Sequence, residues 1–241
     1  MSANELQNNT AMKLKLVVLS GAGVSAESGI ATFRDANGLW EGYDVMKVAT
    51  PEGWARDYKM VLEFYNARRR GVADVKPNDA HLILAEMEKE YELNIVTQNI
   101  DNLHEQAGSS KVLHLHGEIT KACSSNGKQH IHEIGFKDIK DGDIGADGCQ
   151  IRPFIVWFGE DVPMIPLAAQ LVSEADVVLV IGTSMEVYPA AGLVNYARLE
   201  VPIYVIDPKE VTHKMNVSNK VIHIKKGGSE GMREFRKVLN V

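Results

Sequence analysis

Short runs of apolar residues, many of them β-branched, recur along the chain with helix-like patterns between them. Runs that are apolar on both faces are typical of buried parallel strands. This pattern predicts strands at residues 16–19, 93–97, 112–115, 155–158, 177–181, 203–206 and 221–224. It also predicts helices at residues 80–91, 165–175, 190–199 and 231–239. Because strands and helices alternate, we expect an α/β fold with a doubly wound parallel sheet.

Two stretches interrupt this alternation. Residues 36–78 carry several aromatic side chains but no buried-strand pattern, and residues 120–150 are polar and rich in Gly, Asp and Lys. We expect these two insertions to form a small second module. The sheet domain would then comprise residues 12–35, 79–119 and 151–241.

Composition narrows the class of protein. The 241 residues carry a formal net charge of −6, which argues against a protein that coats nucleic acid. Residues 1–11 are polar, indicate a flexible tail and lack the features of a signal peptide. No apolar stretch reaches the roughly 18 residues of a membrane span, and two cysteines do not make a disulfide framework. We therefore expect a cytoplasmic protein without nucleic-acid or membrane partners, and we expect a monomer.

A glycine-rich turn, Gly21-Ala22-Gly23, directly follows the first predicted strand. Glycine lets the backbone approach a pyrophosphate, whose charge would then meet the N–H groups of a following helix. A simple tight turn is the alternative. The usual dinucleotide fingerprint also needs a carboxylate about 20 residues further on, at the end of a second strand. Glu41 lies at that distance but follows no strand, so we expect a nucleotide held differently from that of a dehydrogenase.

Polar residues follow the strand at 93–97, at an edge where open α/β sheets bind their ligands. Helix capping accounts for one or two of Gln98, Asn99 and Asp101, but not for all of them. His116 comes directly after the next strand and precedes a glycine, where a histidine could act as a general base at neutral pH. A structural role is the alternative for a single histidine.

Two further segments are candidates for nucleotide contacts. Phe33 and Arg34 follow the glycine turn and could cover a nucleotide; a core phenylalanine and a surface salt bridge are the alternative. Gly182-Thr183-Ser184 follows the most hydrophobic strand, but by itself it signals only a turn.

Taken together, these segments resemble the sirtuins, the NAD-dependent protein-lysine deacylases. The matching segments are 21–34 (GAGVSAESGIATFR), 98–101 (QNID), 116–118 (HGE), 157–160 (WFGE) and 182–184 (GTS), in the family's order. Each segment is weak alone, but the set in order is highly specific, and the resemblance covers about residues 13–240. It implies a Rossmann-like NAD-binding domain with a small second module.

The resemblance also implies roles for individual residues. Asn99 and Asp101 would hold the nicotinamide end of NAD while the acyl oxygen of a modified lysine expels nicotinamide. His116 would then act as base on a ribose hydroxyl, and the products would be free lysine, nicotinamide and O-acyl-ADP-ribose. The expected NAD contacts are Gly21, Ala22, Gly23, Ser25, Ala26, Gly29, Ile30, Phe33, Arg34, Gln98, Asn99, Ile100, Asp101, Gly182, Thr183, Ser184, Asp207 and Gly228. The expected groove for an acyl-lysine peptide, bound by β-augmentation, is formed by Val156, Trp157, Phe158 and Gly159.

Tyr65 and Arg68 lie three residues apart in a predicted helix, and therefore on one face. This Tyr-x-x-Arg pair resembles the acyl pocket of the sirtuins that remove succinyl and malonyl groups. Arginine can bind the terminal carboxylate of such groups through two hydrogen bonds, and tyrosine adds a hydroxyl. An ordinary amphipathic helix is the alternative. Bacterial members with this pair resemble dual enzymes, so we also expect acetyl-lysine as a substrate.

Two positions depart from the family pattern. The family's small module normally holds zinc with two Cys-x-x-Cys pairs, but here Cys123 and Cys149 each lack their mate. Two thiolates cannot complete a four-ligand site, so we expect no zinc, although His130 and His132 could in principle supply two nitrogens. Asp207 stands where the family often has Asn near the adenosine ribose, and it can still accept ribose hydroxyl protons.

Several other functions stay open at this point. The chain could be mainly a deacetylase, an NAD-dependent ADP-ribosyltransferase or a catalytically inactive NAD-binding module. A hydride-transferring dehydrogenase is the remaining alternative, and it lacks the expected ribose carboxylate.

Overall fold

A parallel sheet forms the centre of the molecule. The computed structural model describes residues 12–31, 39–40 and 42–239. The strands of the larger sheet are β1 Lys15–Ser20, β4 Glu92–Thr97, β5 Val112–His114, β9 Val177–Ile181, β10 Ile203–Ile206 and β11 Val221–Ile224. They lie in the order β11-β10-β9-β1-β4-β5, and all neighbours are parallel. The chain first adds strands on one side of β1 and then on the other, which confirms the doubly wound α/β prediction.

Helices cover both faces of this sheet, which is why its strands are apolar throughout. The helices are α3 Asp79–Met87, α4 Leu103–Gln106, α5 Ile165–Glu174, α6 Gly228–Leu239 and a 3₁₀ helix at Ala190–Tyr196. Leu16 and Val18 of β1 are buried in a core cluster with α3 and α6. Val17 and Leu19, which point to the opposite face, are buried with α5 and the 3₁₀ helix.

A second unit is built from the chain between these elements. Its elements are β2 Leu39–Trp40, β3 Tyr43–Asp44, α1 Val45–Val48, α2 Pro51–Val72, β6 Gly117–Ser124, β7 His132–Glu133 and β8 Ile151–Ile155. β6 pairs antiparallel with both β7 and β8, and α2 has a break at Asp57. Helix α2 and this second sheet share one core cluster, which includes Val61, Phe64, Tyr65, Ile119, Ile155 and Trp157. Leu62 of α2 is also buried with Ala122 and Ile139, so the two predicted insertions pack on each other.

The prediction of a parallel strand at residues 155–158 is wrong. Ile155 is the last residue of β8, which pairs antiparallel with β6 in the second sheet, and residues 156–158 follow that strand. Their apolar character reflects burial against α2, since Ile155 is 4% and Trp157 only 2% exposed. The same sheet starts at Gly117, so the predicted border between residues 119 and 120 falls inside β6.

Three predicted helices have different limits in the structure. Helix α3 ends at Met87, after which Glu90 and Tyr91 donate back to its last carbonyl in turns. The segment predicted at 190–199 is the 3₁₀ helix, and α6 begins at Gly228, earlier than predicted. The predicted tail, residues 1–11, lies outside the described residues. Among the helices that the structure describes, none has the length and apolarity needed to cross a membrane.

A fully buried arginine ties α2 to the second sheet. Arg69 is 0% exposed; its Nε donates to the carbonyl of Ile119 at 2.7 Å and its Nη1 donates to Oδ1 of Asn66 at 2.8 Å. Burial lowers the pKa of Arg69 to about 10, a shift that leaves it charged at neutral pH. Asn66 continues the chain of contacts by donating to the carbonyl of Ile139 at 2.8 Å. These bonds determine which face of α2 lies against the second sheet.

The loops that follow β1 and β9 are joined backbone to backbone. The amide of Gly21 donates to the carbonyl of Ile181 at 3.1 Å, and that of Gly23 donates to the carbonyl of Gly182 at 2.8 Å. Gly182 has a φ of +61°, and a Cβ placed there would lie 2.2 Å from the nitrogen of Val24. Both the conformation and the space therefore require glycine at position 182.

A matched pair of substitutions separates these two requirements. Gly135 has a φ of +59°, but no atom lies within 4 Å of the place that a Cβ would occupy. We expect Gly135→Ala to cost about 1–2 kcal/mol of unfolding free energy from its left-handed conformation alone. Gly182→Ala should cost about 1–3 kcal/mol more, because the loops must also separate. Urea denaturation of both variants measures the difference, and equal losses would contradict the packing argument.

Candidate active site

A cleft of about 600 Å³ lies where the carboxyl ends of β1, β4, β9 and β10 face α2 and the second sheet. It is the position in which open α/β sheets bind ligands. The predicted residues that line it are Gly21, Ala22, Gly23, Ser25, Ala26, Ile30, Tyr65, Arg68, Gln98, Asn99, Ile100, Asp101, His116, Val156, Trp157, Phe158, Gly159, Gly182, Thr183, Ser184, Asp207 and Gly228. Residues predicted from distant parts of the chain are thus brought into one cleft.

Three predicted contacts are not among these lining residues. Gly29 does not line the cleft; its φ of +93° closes a short turn, in which its amide donates to the carbonyl of Ala26. Phe33 and Arg34 lie outside the described residues.

The segment after the glycine turn differs from the expected helix. Residues Ala22–Val24 and Ala26–Ser28 form two short 3₁₀ turns. The amides of Gly21 and Gly23 are already bonded to the loop after β9, so the glycines serve the contact between the two loops. A pyrophosphate in the cleft would therefore have to meet other N–H groups of this loop.

A chain of buried polar side chains links the glycine turn to the segment after β4. Asn99 donates to the hydroxyl of Ser25 at 3.1 Å, and Ser25 donates to Oδ2 of Asp101 at 3.1 Å. The amide of Leu103 donates to the other oxygen of Asp101. Burial raises the pKa of Asp101, against the opposing effect of these hydrogen bonds. One end of the cleft thus presents an amide and a carboxyl group in fixed positions.

His116 sits between the two sheets, immediately before β6. Its Nδ1 lies 3.0 Å from the carbonyl oxygen of Gln98. Because a carbonyl can only accept, Nδ1 carries the proton and Nε2 keeps its lone pair. Burial lowers the pKa of His116, and the bond to Gln98 only partly opposes that shift. The ring is therefore neutral at physiological pH and is competent to take a proton through Nε2.

On the α2 side, the cleft ends at an aromatic and cationic pocket. The Tyr65 side chain is fully buried, and its oxygen accepts a hydrogen bond from Nε1 of Trp157 at 3.1 Å. Burial raises the pKa of Tyr65, so its hydroxyl stays protonated. The guanidinium carbon of Arg68 lies 4.1 Å from the centre of the Trp40 ring. The sequence contained no signal for Trp40, which lies in a short hairpin far from Arg68 along the chain.

A network of ion pairs contacts both the backbone and the ring of Trp157. The carboxylate of Glu160 accepts from the backbone amide of Trp157 at 2.7 Å and pairs with Arg152 at 3.1 Å and Lys128 at 2.8 Å. The guanidinium of Arg152 also lies 3.5 Å from the centre of the Trp157 ring. Sequence reasoning missed these supporting residues, because their charges indicate solvent exposure whereas Arg152 is buried.

Two predicted contacts occupy the sheet edge at β10 and α6. Asp207 directly follows β10, where one carboxylate oxygen accepts from the amide of Lys209 at 2.8 Å. Gly228 begins α6, and the carboxylate of Glu27 accepts from the amide of Ser229 at 3.2 Å. Glu27 also lines the cleft, although it was not among the predicted contacts.

The two cysteines lie apart from any set of metal ligands. Burial raises the pKa of Cys123 to about 11, and its thiol lies against the carbonyl of Pro153. In the part of the chain that the structure describes, no group of three or more His, Cys, Asp or Glu side chains could hold a metal. Near these cysteines, the hydroxyl of Ser124 at the end of β6 donates to the carboxylate of Asp147, in the loop before β8, at 2.5 Å.

Comparisons with known proteins identify the family to which the chain is similar. A model of the Sir2 family matches residues 21–189. The NAD-dependent protein deacylase of Bacteroides thetaiotaomicron is 53% identical over 231 residues, which cover 93% of this chain and 97% of that protein. A crystal structure of a Sir2 homologue with NAD superimposes with a TM-score of 0.78 at 35% identity, covering 93% of this chain and 90% of the other.

A second solved structure is similar over a comparable length. It is Sir2 in complex with the inhibitor EX-527, 2′-O-acetyl-ADP-ribose and a deacetylated p53 peptide. The TM-score is 0.74 at 27% identity, with 93% of this chain and 94% of that chain covered.

Proposed function

The chain belongs to the Sir2 family, and from that premise we propose that this NAD-dependent protein deacylase removes succinyl and malonyl groups, as well as acetyl groups, from lysine. The observation that carries the proposal is the shared cleft: His116, with an unprotonated Nε2, faces the same space as Arg68 and the glycine turn. Free lysine, nicotinamide and O-acyl-ADP-ribose would be the products.

The polar residues of the cleft fit an NAD molecule. Bound NAD supplies an electrophilic ribose carbon, C1′, with nicotinamide as the leaving group. Asn99 and Asp101 would hold the nicotinamide amide, and the Ser25 hydroxyl keeps both side chains in place. Gln98 donates to Thr183 at 3.1 Å, so it would lie between the ribose and the loop after β9. His116 would remove a proton from a ribose hydroxyl through Nε2.

The remaining NAD contacts would lie along the sheet edge. The loop at residues 21–26 and the Gly182-Thr183-Ser184 turn would surround the phosphates, with Asp207 and Gly228 towards the adenosine end. Ile30 and Ile100 add apolar surface to the cleft. Phe33, Arg34 and Gly29 stay predictions from the family resemblance.

The acyl group would enter the pocket at α2. A succinyl or malonyl chain ends in a carboxylate, and Arg68 offers a charge and two donors in one plane. Stacking on Trp40 holds the guanidinium in place, so less side-chain freedom is lost when the carboxylate binds. The Tyr65 oxygen accepts a hydrogen bond from Trp157. The hydroxyl proton of Tyr65 therefore points away from Trp157 and can be donated to another acceptor.

A peptide would lie along residues 156–159, by β-augmentation. The amide of Trp157 already donates to Glu160, and that of Phe158 donates to the carbonyl of Ala49 at 2.9 Å. The carbonyls of Val156 and Phe158 and the backbone of Gly159 would therefore provide the main-chain contacts.

The other parts of the proposal concern organisation and location. We propose that residues 36–78 and 120–150 act as the small module that carries the peptide side of the cleft. The free thiols of Cys123 and Cys149 support a cytoplasmic location.

Replacing His116 tests the base assignment. His116→Ala should lower kcat by about 10²-fold or more, because the ribose hydroxyl then keeps its proton. NAD affinity should change little, since the polar chain from Ser25 to Asp101 is intact. Steady-state assays and NAD titration measure both quantities. His213→Ala, at an exposed histidine, is the control, and undiminished turnover of His116→Ala would refute the assignment.

Replacing Arg68 tests the acyl preference. Arg68→Met should reduce kcat/KM for succinyl-lysine peptide by about 10- to 150-fold, the loss of a charge-assisted hydrogen bond worth about 1.5–3 kcal/mol. Its effect on acetyl-lysine peptide should be small, because that acyl group carries no charge. Arg70→Met is the matched control, since Arg70 lies on the same helix but pairs with Glu63 and Asp138 at the surface. Equal losses for both acyl groups would remove the pocket argument.

We also propose that the small module contains no zinc, because Cys123 is buried as a thiol and the Ser124–Asp147 hydrogen bond joins the end of β6 to the loop before β8. Elemental analysis of the purified protein should find far less than one zinc per chain. Treatment with EDTA should leave the melting temperature unchanged, since no metal contributes folding energy. A stoichiometric zinc that is lost together with stability would overturn this proposal.

A further inference from the structure

His114, the last residue of β5, and His116 make similar contacts with backbone carbonyls. The His114 side chain is only 6% exposed. Its Nδ1 lies 2.9 Å from the carbonyl oxygen of Asn99, and its Nε2 lies 2.8 Å from Oε1 of Glu105. His116 reaches the carbonyl oxygen of Gln98 through its own Nδ1. The two histidines therefore hold consecutive carbonyls of the segment that faces the cleft.

The partners of His114 determine its charge. A carbonyl oxygen can only accept, so Nδ1 carries a proton, and an ionised carboxylate can only accept, so Nε2 carries one too. The ring is then an imidazolium paired with Glu105. Burial disfavours that charge, but the hydrogen bonds to Glu105 and to the Asn99 carbonyl and the negative charges of Glu105 and Glu118 together raise the pKa of His114. His116, whose Nε2 has no carboxylate partner in the described residues, has a pKa shifted the other way.

The charged and titratable groups around this pair come from three elements. They are His104 and Glu105 of α4, Asp101 of the segment after β4, and Glu118 and Lys121 of β6. Burial lowers the pKa of His104 to about 3, so its ring is neutral. The charge of His114 opposes the effect of burial on the pKa of Asp101 and favours the carboxylate there.

We propose that the His114–Glu105 ion pair is a positioning device for the reaction: it fixes the backbone of Asn99, and with it the amide and carboxylate that face nicotinamide. This inference rests on the proposed function. A neutral His114 has one proton for two acceptors, so it cannot hold the Asn99 carbonyl and Glu105 together. When His114 loses its second proton, the backbone at Asn99 is held less firmly. The series of hydrogen bonds from Asn99 through Ser25 to Asp101 starts at that residue.

Three variants separate the hydrogen bond from the charge. His114→Ala removes both contacts. His114→Asn keeps a donor in the place of Nδ1, because the amide nitrogen of asparagine superposes on that ring atom. Glu105→Gln removes the charge but can still donate to an unprotonated Nε2. Glu92→Gln is the matched control, since Glu92 makes an exposed ion pair with Lys111 at 3.3 Å.

Inhibition by nicotinamide is the first measurement. His114→Ala should raise the inhibition constant about tenfold or more, while His114→Asn should recover most of that loss. Glu92→Gln should match the unmodified protein. A purely structural role for His114 would instead lower thermal stability in step with activity and leave the inhibition constant unchanged. That outcome would overturn the proposal.

The pH dependence provides the second measurement. His114 is charged below its raised pKa and neutral above it, so nicotinamide affinity should fall as the pH rises through that value. His116 and Asp101 reach their active, deprotonated forms as the pH rises. They therefore affect only the acid side of the pH profile. Glu105→Gln should flatten the alkaline limb and leave the acid limb in place. An alkaline limb that persists in Glu105→Gln would count against the ion pair.

Side-chain ¹⁵N NMR tests the charge without turnover. The His114 ring should titrate above its ordinary pKa of 6.5 in the unmodified protein and below it in Glu105→Gln. Titration at or below 6.5 in both proteins would overturn the proposal. If the unmodified protein instead failed to release nicotinamide from NAD with any acyl-lysine peptide, the proposed function would fail, whatever the NMR result.

Discussion

The close contact between the loops after β1 and β9 sets the position of the cleft. Two parallel strands bring their carboxyl ends together, and the backbone of Gly23 then bonds directly to that of Gly182. Neither loop has room for a side chain at this point. With the loops joined, Ser25 is brought within hydrogen-bond distance of Asn99 and Asp101, which follow the neighbouring strand β4. The nucleotide side of the site is therefore built on backbone packing, and its polar groups take their places from it.

The opposite side depends on a different kind of constraint. Helix α2 and the second sheet are held together by buried polar bonds to main-chain carbonyls, with Arg69 at the centre. A buried arginine that lost these partners would carry an uncompensated desolvation cost, so the helix has one favourable position. That position presents Tyr65 and Arg68 to the cleft from the face next to Arg69. The proposed acyl pocket and the anchoring of the helix thus depend on the consecutive residues Arg68 and Arg69.

Much of this could be predicted from the sequence, for identifiable reasons. Buried parallel strands have a strong apolar signal, and ligand-facing residues follow their carboxyl ends, which located Asn99, Asp101 and His116. The strand at 155–158 was assigned to the wrong sheet because an apolar run signals burial and not the partner strand. Trp40 was missed because its partner, Arg68, lies far from it along the chain. Arg152 and Glu160 were missed because charged residues indicate solvent exposure, whereas Arg152 is buried. Local patterns carry no information about such contacts.

His116 occupies the short connection between β5 and β6, where the chain passes from the larger sheet into the second sheet. On one side its ring is bonded to the segment after β4, and on the other its carbonyl accepts from Val156 at 2.9 Å. The position of His116 is therefore set by contacts on both sides of this connection. A shift of one sheet relative to the other would therefore change the geometry of the imidazole and of the cleft together.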